Sequence, residues 1–130
     1  MKTLPVPTPL TEPYWEGCRD GELRIQYCRT CDRHQFYPRS VCADCLGSVE
    51  WVTASGKGEV VSYTIVRLAV SEAYAAEVPY VVALIQLAEG PQLMSQVACD
   101  VDEITTGQSV EVYFEAWSDT VTVPKFRLTG

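Results

Sequence analysis

Apolar and polar residues alternate with the period of β-strands along most of this chain. The alternation is clearest over 109–115, where Val110, Val112 and Phe114 share one face of the predicted strand. Residues 78–87 are almost continuously apolar, as expected for a strand buried on both faces. The other predicted strands are 22–27, 49–53, 59–68, 92–98 and 121–127. This pattern predicts a mainly β protein.

A short helix is expected before the first strand, from about Thr11 to Asp20. Thr11 can cap the helix, Pro13 suits its first turn and Gly21 can end it. The segment 69–77 is the other departure from the strand pattern. It fits either a helical turn or a loop, and the sequence leaves both open.

Four of the six cysteines form two CxxC pairs with ten residues between them. These cysteines are Cys28, Cys31, Cys42 and Cys45. Two such turns give zinc four thiolate ligands in a tetrahedron without an open position, which is typical of a structural site. A rubredoxin-like iron site would use the same ligands and remains the alternative metal. The other two cysteines, Cys18 and Cys99, are expected to be buried free thiols.

After the cysteine module, five or six short strands with Gly-rich turns predict a small closed barrel such as an OB-fold. Periodicity alone leaves a β-sandwich open. Pro124 suggests that the last strand lies at an edge. The predicted organisation is an N-terminal arm and helix over 1–21, a zinc ribbon over 22–47 and the barrel over 48–130. We expect the barrel core to be separate from the ribbon.

Composition and charge narrow the class of protein. The chain is 47% apolar and 21% charged, which is ordinary for a globular domain. Its net charge of -7 argues against a protein whose whole surface attracts nucleic acid or anionic lipid. No apolar run approaches the roughly 18–20 residues of a membrane helix, and the N-terminal sequence lacks the apolar core of a signal peptide. We expect a cytoplasmic protein without a membrane or nucleic-acid partner.

Charge is unevenly distributed along the chain. The stretch from Arg19 to Arg39 holds five arginines against three carboxylates. The stretch from Glu59 to Thr122 holds ten carboxylates against one arginine, Arg67. The ribbon is therefore the part best suited to bind phosphate, although the same arginines could serve only to solvate a small exposed module.

The helix and ribbon also carry a set of large apolar side chains. A helical stripe of Leu10, Tyr14 and Cys18, with Trp15 beside it, ordinarily packs on the protein's own core. A short helix with tyrosine and tryptophan can instead anchor a partner protein. The candidate anchors of such a docking surface are Leu10, Tyr14, Trp15, Phe36 and Tyr37.

Short motifs in a fixed order run through nearly the whole chain. Beside the two CxxC pairs they are Tyr14-Trp15, Gly21-Glu22-Leu23, Phe36-Tyr37-Pro38-Arg39, Glu50-Trp51, Ser55-Gly56-Lys57-Gly58, Ser62-Tyr63-Thr64, Val78-Pro79-Tyr80 and Pro124-Lys125-Phe126-Arg127. In order and spacing the chain resembles a family in which a rubredoxin-like zinc ribbon precedes an acyl-CoA-associated OB-fold. Tyr37 departs from the family pattern, in which proline is common at this place.

The resemblance implies a non-catalytic partner subunit of a thiolase-like enzyme, in a thiolase, acyltransferase or synthase complex. Such subunits stabilise the catalytic partner and help to form the acyl-CoA site, so a coenzyme A thioester would be a shared ligand. Related domains accompany thiolase-like aldolases that act on acyl-CoA side chains, which is the alternative partner class.

Given that resemblance, the ribbon arginines are candidates to hold the phosphates of coenzyme A. Arg39 is the first choice, with Arg33 and Arg24 as further candidates. Pro38 fixes the backbone before Arg39, and Cys42 follows three residues later, so a metal at Cys42 would limit the movement of this arginine.

The residues argue separately against catalysis by this chain. Thiolase-type chemistry needs an activated cysteine with acid–base groups around it. The chain has one histidine, His34, and contains no HExxH, GxSxG or phosphate-loop pattern. An OB-fold that binds single-stranded nucleic acid is a further alternative, and the acidic stretch of the barrel opposes it.

Overall fold

The computed structural model describes residues 8–67, 78–119 and 121–129. Within them helix α1 spans Glu12–Arg19 and is followed only by strands. The strands are β1 (Arg24–Cys28), β2 (Arg33–Gln35), β3 (Glu50–Thr53), β4 (Lys57–Val66), β5 (Tyr80–Leu87), β6 (Gln92–Ala98), β7 (Ser109–Ala116) and β8 (Thr122–Leu128). The predicted mainly β fold with one short N-terminal helix is confirmed. The segment 69–77 lies outside the described residues.

The first three strands form the sheet of the ribbon. Their order is β2-β1-β3, and both pairings are antiparallel. In β1, Tyr27 lies opposite His34 of β2 on one side and Glu50 of β3 on the other. Strand β3 follows residue 47, at which the ribbon was expected to end, and it pairs with β1.

The remaining five strands close into a barrel in the order β4-β5-β6-β8-β7. Only β6 and β8 pair in parallel, and the other neighbours are antiparallel. This is the Greek-key arrangement of an OB-fold, so the barrel forms and the sandwich does not. Strand β4 serves both β5 and β7, and a bulge between Val60 and Ser62 bends it between them.

Two details of the strands differ from expectation. Pro124 lies within β8 opposite Phe114, inside the closed barrel, so the prediction of an edge strand is wrong. The parallel pairing of β8 with β6 includes only Phe126 and Arg127 of β8. Pro124 lies outside this pairing, so its missing N–H costs no hydrogen bond to β6. Strand β5 buries one face completely and leaves Val82 and Leu84 on its other face half-buried.

A single apolar core joins the barrel to the ribbon. Its fully buried side chains include Phe126, Ile85 and Val81 of the barrel. Leu23, which directly precedes β1, and Ile25, which lies in β1, are part of the same cluster. The expectation of a separate barrel core is therefore wrong, because the inner face of β1 packs on the barrel.

Helix α1 lies against β1, β7 and β8. Cys18 is buried and Tyr14 packs on the core, so these two members of the apolar stripe dock on the protein itself, whereas Leu10 is exposed. Thr11 stands at the cap position, but its hydroxyl bonds with Thr8 and not with a helix N–H. Gly21 follows the helix with φ of 77°, a left-handed conformation that glycine adopts without steric cost.

Candidate metal centre and ribbon surface

The sulfur atoms of Cys28, Cys31, Cys42 and Cys45 converge within 4.8 Å of one another. The Sγ atoms of Cys28 and Cys45 are 3.6 Å apart, and those of Cys42 and Cys31 are 3.9 Å apart. A tetrahedron with zinc–sulfur bonds of about 2.3 Å has sulfur–sulfur edges of about 3.8 Å. These four thiols therefore fit a tetrahedral zinc ion in their spacing as well as in their chemistry.

Two tight turns bring the sulfurs together. The first turn leaves the end of β1 at Cys28 and places Asp32 at φ of 51°. The second is closed by the Cys42 N–H, which donates to the Gly47 carbonyl over 2.8 Å, and it places Leu46 at φ of 62°. In each turn the residue after the second cysteine takes the left-handed conformation, which reverses the chain around the metal site.

Backbone N–H groups point at the sulfurs of the second turn. Asp44 donates to the Cys42 Sγ and Gly47 to the Cys45 Sγ, each over 3.4 Å. Backbone donors from Cys45 and Asp44 lower the pKa of Cys42 to about 7. These bonds stabilise thiolates, the form in which cysteine binds metal. The site has sulfur ligands only, so a zinc ion held here would cross-link the ribbon.

The candidate phosphate ligands differ in their electrostatic surroundings. Arg24 pairs with Glu22 over 3.0 Å and with Asp20 over 3.4 Å. Arg33 pairs with Asp44 over 3.0 Å. Acidic partners occupy these two guanidinium groups within the chain.

Of the other three arginines in the stretch from Arg19 to Arg39, two are paired with carboxylates of the described residues and one is not. Arg29 pairs with Glu50, and Arg19 pairs with Glu12. Arg39 is exposed and has no ion pair among the residues that the structure describes. Arg39 therefore differs from the other four arginines of the stretch, each of which has a carboxylate partner.

Four of the five candidate docking residues form one row of aromatic rings. Trp15 meets Tyr14 edge to face at a centroid distance of 5.0 Å, and Tyr14 meets Phe36 at 5.7 Å. Phe36 meets Tyr37 at 4.9 Å. Tyr14 and Phe36 pack on the core, whereas Tyr37 is 59% exposed. The fifth candidate, Leu10, is exposed at the start of α1.

The structure adds Val41 and Leu46, which the sequence patterns did not single out. Both are large, exposed apolar residues next to the second cysteine turn, and Leu46 is 72% exposed. Val41 precedes Cys42 and Leu46 precedes Gly47, so the hydrogen bond between Cys42 and Gly47 brings the two apolar residues toward each other. An apolar residue directly after a CxxC, where glycine would relieve the left-handed backbone, is the signal that could have revealed Leu46.

The two cysteines outside the metal site are poor nucleophiles. Burial raises the pKa of Cys18 to about 11. Burial, together with Glu103 and Asp100, also raises the pKa of Cys99. Cys18 is buried as expected, whereas Cys99 is only half-buried, and both are free thiols. His34 lies in β2 against the ring of Tyr27 at 4.9 Å, away from either thiol in sequence.

The described part of the chain contains no helix that is long and apolar enough to span a bilayer. This observation concerns α1 alone among the described elements, since all the others are strands.

Comparison with known proteins identifies both parts of the fold. Residues 15–51 match the ChsH2 rubredoxin-like zinc ribbon domain, and residues 51–115 match the ChsH2 C-terminal OB-fold domain. The two matches are contiguous, and they place the metal turns in the first domain and most of the barrel in the second.

Two relatives show that similar sequence occurs in proteins of different length. A probable enoyl-CoA hydratase alpha subunit of Thermomonospora curvata is 34% identical over 117 residues, which cover 88% of this chain but 36% of that protein. A DUF35 domain-containing scaffold protein of Methanothermobacter thermautotrophicus is 37% identical over 90 residues, or 67% of each chain. The chain thus spans about a third of the first relative and about two thirds of the second.

A solved structure matches almost the entire chain. It is a chain of the Ltp2-ChsH2(DUF35) aldolase, with a TM-score of 0.85 and 29% sequence identity. The match covers 95% of this chain and 98% of that one. The agreement therefore includes the ribbon, the barrel and their relative arrangement.

Proposed function

Because the chain belongs to the family defined by the ChsH2 zinc ribbon and C-terminal OB-fold, we propose that it is a non-catalytic accessory subunit of a thiolase-like acyl-CoA enzyme complex. Its own metal is a structural zinc at the four cysteines. Its role is to stabilise the catalytic partner and to complete the acyl-CoA site. The observation that carries the proposal is the full-length match to a chain of a two-component aldolase.

The chemistry of the chain supports the non-catalytic part of this proposal. Four thiolates fill the tetrahedral coordination of a zinc ion, so no position is left for a reactive water. The pKa values of Cys18 and Cys99 are raised, so these thiols stay protonated at neutral pH. A thiolase-type reaction needs a thiolate nucleophile with an acid–base partner, and we propose that the larger subunit supplies both.

Arg39 is the proposed contact to the phosphates of coenzyme A. It is exposed, and among the described residues it has no carboxylate partner of the kind that Arg24 and Arg33 each have. A guanidinium can make two parallel hydrogen bonds to a phosphate. The name of the Thermomonospora relative contains a coenzyme A thioester, which is consistent with this ligand class.

The test is the affinity of the assembled complex for coenzyme A with Arg39→Ala, measured at several salt concentrations. Loss of a charged hydrogen bond should weaken binding by about 1.5–3 kcal/mol and flatten the salt dependence. Arg33→Ala is the matched control, since Asp44 already occupies that side chain. Unchanged affinity in an intact Arg39→Ala complex would remove Arg39 from the site.

The proposed docking surface joins the aromatic row to the second cysteine turn. Its exposed members are Leu10, Tyr37, Val41 and Leu46, with Trp15 half-buried at the far end of the row. Tyr14 and Phe36 support the row from the core side. We propose that these side chains form one apolar patch, because a contiguous exposed apolar patch ordinarily marks an interface.

A second candidate concerns the class of partner. The solved neighbour is described as an aldolase, so a thiolase-like aldolase is favoured by a specific observation over a thiolase or synthase. Reconstitution of this chain with each partner class, followed by assay for carbon–carbon cleavage and for acyl transfer, separates the two. Acyl transfer without cleavage would return the proposal to the thiolase and synthase class.

A further inference from the structure

Strand β1 buries a polar side chain on the face that carries a zinc ligand. Side chains alternate along a strand, so Leu23 and Ile25 point to the barrel core while Gln26 and Cys28 share the opposite face. Gln26 is only 2% exposed. An apolar residue could fill such a buried position without needing hydrogen bonds. The presence of a buried amide there therefore calls for an explanation from its hydrogen-bond partners.

The amide of Gln26 holds the backbone of Arg39 by both of its polar groups. Its Nε2 donates to the Arg39 carbonyl over 2.8 Å, and its Oε1 accepts from the Arg39 N–H over 2.9 Å. The two bonds imitate one rung of a β-ladder between β1 and a loop. They fix the backbone of Arg39 while its guanidinium remains at the surface.

A second glutamine extends this network to the metal turn. Gln35 lies opposite Gln26 in the β1–β2 pairing, and its Nε2 donates to the Gln26 Oε1 over 2.7 Å. Its Oε1 accepts from the Ala43 N–H over 3.0 Å, within the CxxC of Cys42 and Cys45. The position of Arg39 is therefore tied through two side chains to the cysteines that hold the metal.

We propose that Gln26 is a positioning residue for Arg39: with Gln35, it presents the guanidinium in a fixed place to the phosphates of coenzyme A. This inference rests on the proposed function of Arg39. Pro38 limits the backbone on the other side of the loop, so the arginine is preorganised before the ligand binds. A preorganised charge loses less entropy on binding than one on a mobile loop.

The experiment is a double-mutant cycle in the assembled complex, with coenzyme A as the probe. Gln26→Met keeps the buried volume and removes all three hydrogen bonds. It should weaken coenzyme A binding about fivefold when Arg39 is present and should have no effect in an Arg39→Ala background. Gln26→Glu retains the two acceptor bonds but turns a carboxylate oxygen toward the Arg39 carbonyl, so it should recover only a small part of the affinity. Gln92→Met, at an exposed site on β6, is the control for a glutamine change in the barrel.

The outcomes separate this inference from the proposed function. If Arg39→Ala leaves affinity unchanged, the proposed phosphate contact is wrong, and the positioning role falls with it. If Arg39→Ala weakens binding but Gln26→Met does so equally in both backgrounds, or not at all, only the positioning role is overturned. Zinc content and co-purification of each variant are measured alongside. If neither Gln26→Met nor Gln26→Glu assembles with zinc, Gln26 is a folding residue and the inference is wrong.

Discussion

The ribbon and the barrel differ in which residues they place in the left-handed backbone conformation. In the barrel, the described positions with positive φ are glycines: Gly56, Gly90 and Gly107. In the ribbon, they are Asp32, Tyr37 and Leu46, at φ of 51°, 61° and 62°. The left-handed conformation costs an L-residue roughly 1–2 kcal/mol. The barrel avoids this cost, whereas the ribbon accepts it at two large, exposed side chains.

The difference indicates what each region is for. An apolar core stabilises the barrel, and its turns use the residue that fits them best. The ribbon depends on thiolate ligands and buried amide bonds, which can hold unfavourable turns in place. The left-handed backbone of Leu46 serves the metal turn, because it reverses the chain after the second cysteine. Its side chain is nevertheless apolar and exposed, as is that of Tyr37, and both support the ribbon as the proposed region of contact with the partner.

The largest expected effect follows from loss of the metal. Cys42→Ser, or a strong chelator, should unfold the two cysteine turns, because zinc in comparable small sites contributes about 10–16 kcal/mol. The barrel should persist with a melting temperature several degrees lower, since Leu23 and Ile25 of its core adjoin the ribbon. Elemental analysis and two-dimensional amide spectra measure both effects.

Cys99→Ser is the control for this change, because Cys99 lies outside the metal site and is half-buried. It should keep one zinc per chain. A metal-free chain whose ribbon signals stay dispersed would contradict the structural role of zinc.

The next effect concerns a barrel glycine. A Cβ on Gly56 would clash with the Val112 Cγ1, and the φ of 78° at this position disfavours alanine in any case. Gly56→Ala should therefore destabilise the isolated chain by roughly 2–4 kcal/mol, as read from denaturant unfolding. Gly107→Ala, at a similar φ of 85°, meets no atom within 4 Å and should cost less. Equal losses from the two changes would show that the contact with Val112 is unimportant.

Substitution of Trp15 on the proposed docking surface should have a smaller effect, which is confined to binding of the partner. Trp15→Ala should weaken binding of the partner subunit by about 2 kcal/mol, as expected for an aromatic interface anchor, and leave the barrel folded. Met94→Ala, which changes an exposed residue on the barrel, should leave binding unchanged. If Trp15→Ala unfolds the isolated chain, the side chain belongs to the core and not to the interface.

The smallest expected effect comes from Leu46, which has a left-handed backbone in the ribbon as Gly56 has in the barrel. Leu46→Gly removes the left-handed strain and adds flexibility to the unfolded chain, so stability should change by less than about 1 kcal/mol. Partner affinity should fall about fivefold, and Leu46→Ala, which keeps the strain, should show the same fall. A loss of stability without a loss of affinity would make Leu46 a structural residue.

The sequence predicted the local features of the fold better than the contacts between distant residues. The metal ligands, the helix and most strands followed from local patterns, because CxxC spacing and alternation are local properties. The shared core and the pairing of β3 did not, since both depend on contacts between residues far apart in sequence.

The same limit applied at the surface. The sequence favoured Arg39 among five arginines, but the carboxylate partners of the other four became visible only in the structure. The role of Gln26 is also a tertiary property, because nothing in the sequence around position 26 indicates a bond to the backbone of Arg39 thirteen residues later.

The central claim is that this chain works as the accessory subunit of a thiolase-like enzyme. The most direct measurement is to isolate the full chain, under native conditions, from the cells that produce it and to identify its partner by mass spectrometry. The account predicts a thiolase-like subunit in fixed stoichiometry and acyl-CoA turnover by the complex but not by this chain alone. A chain that is recovered without such a subunit, or that turns over acyl-CoA alone and loses this activity through a point substitution, would contradict it.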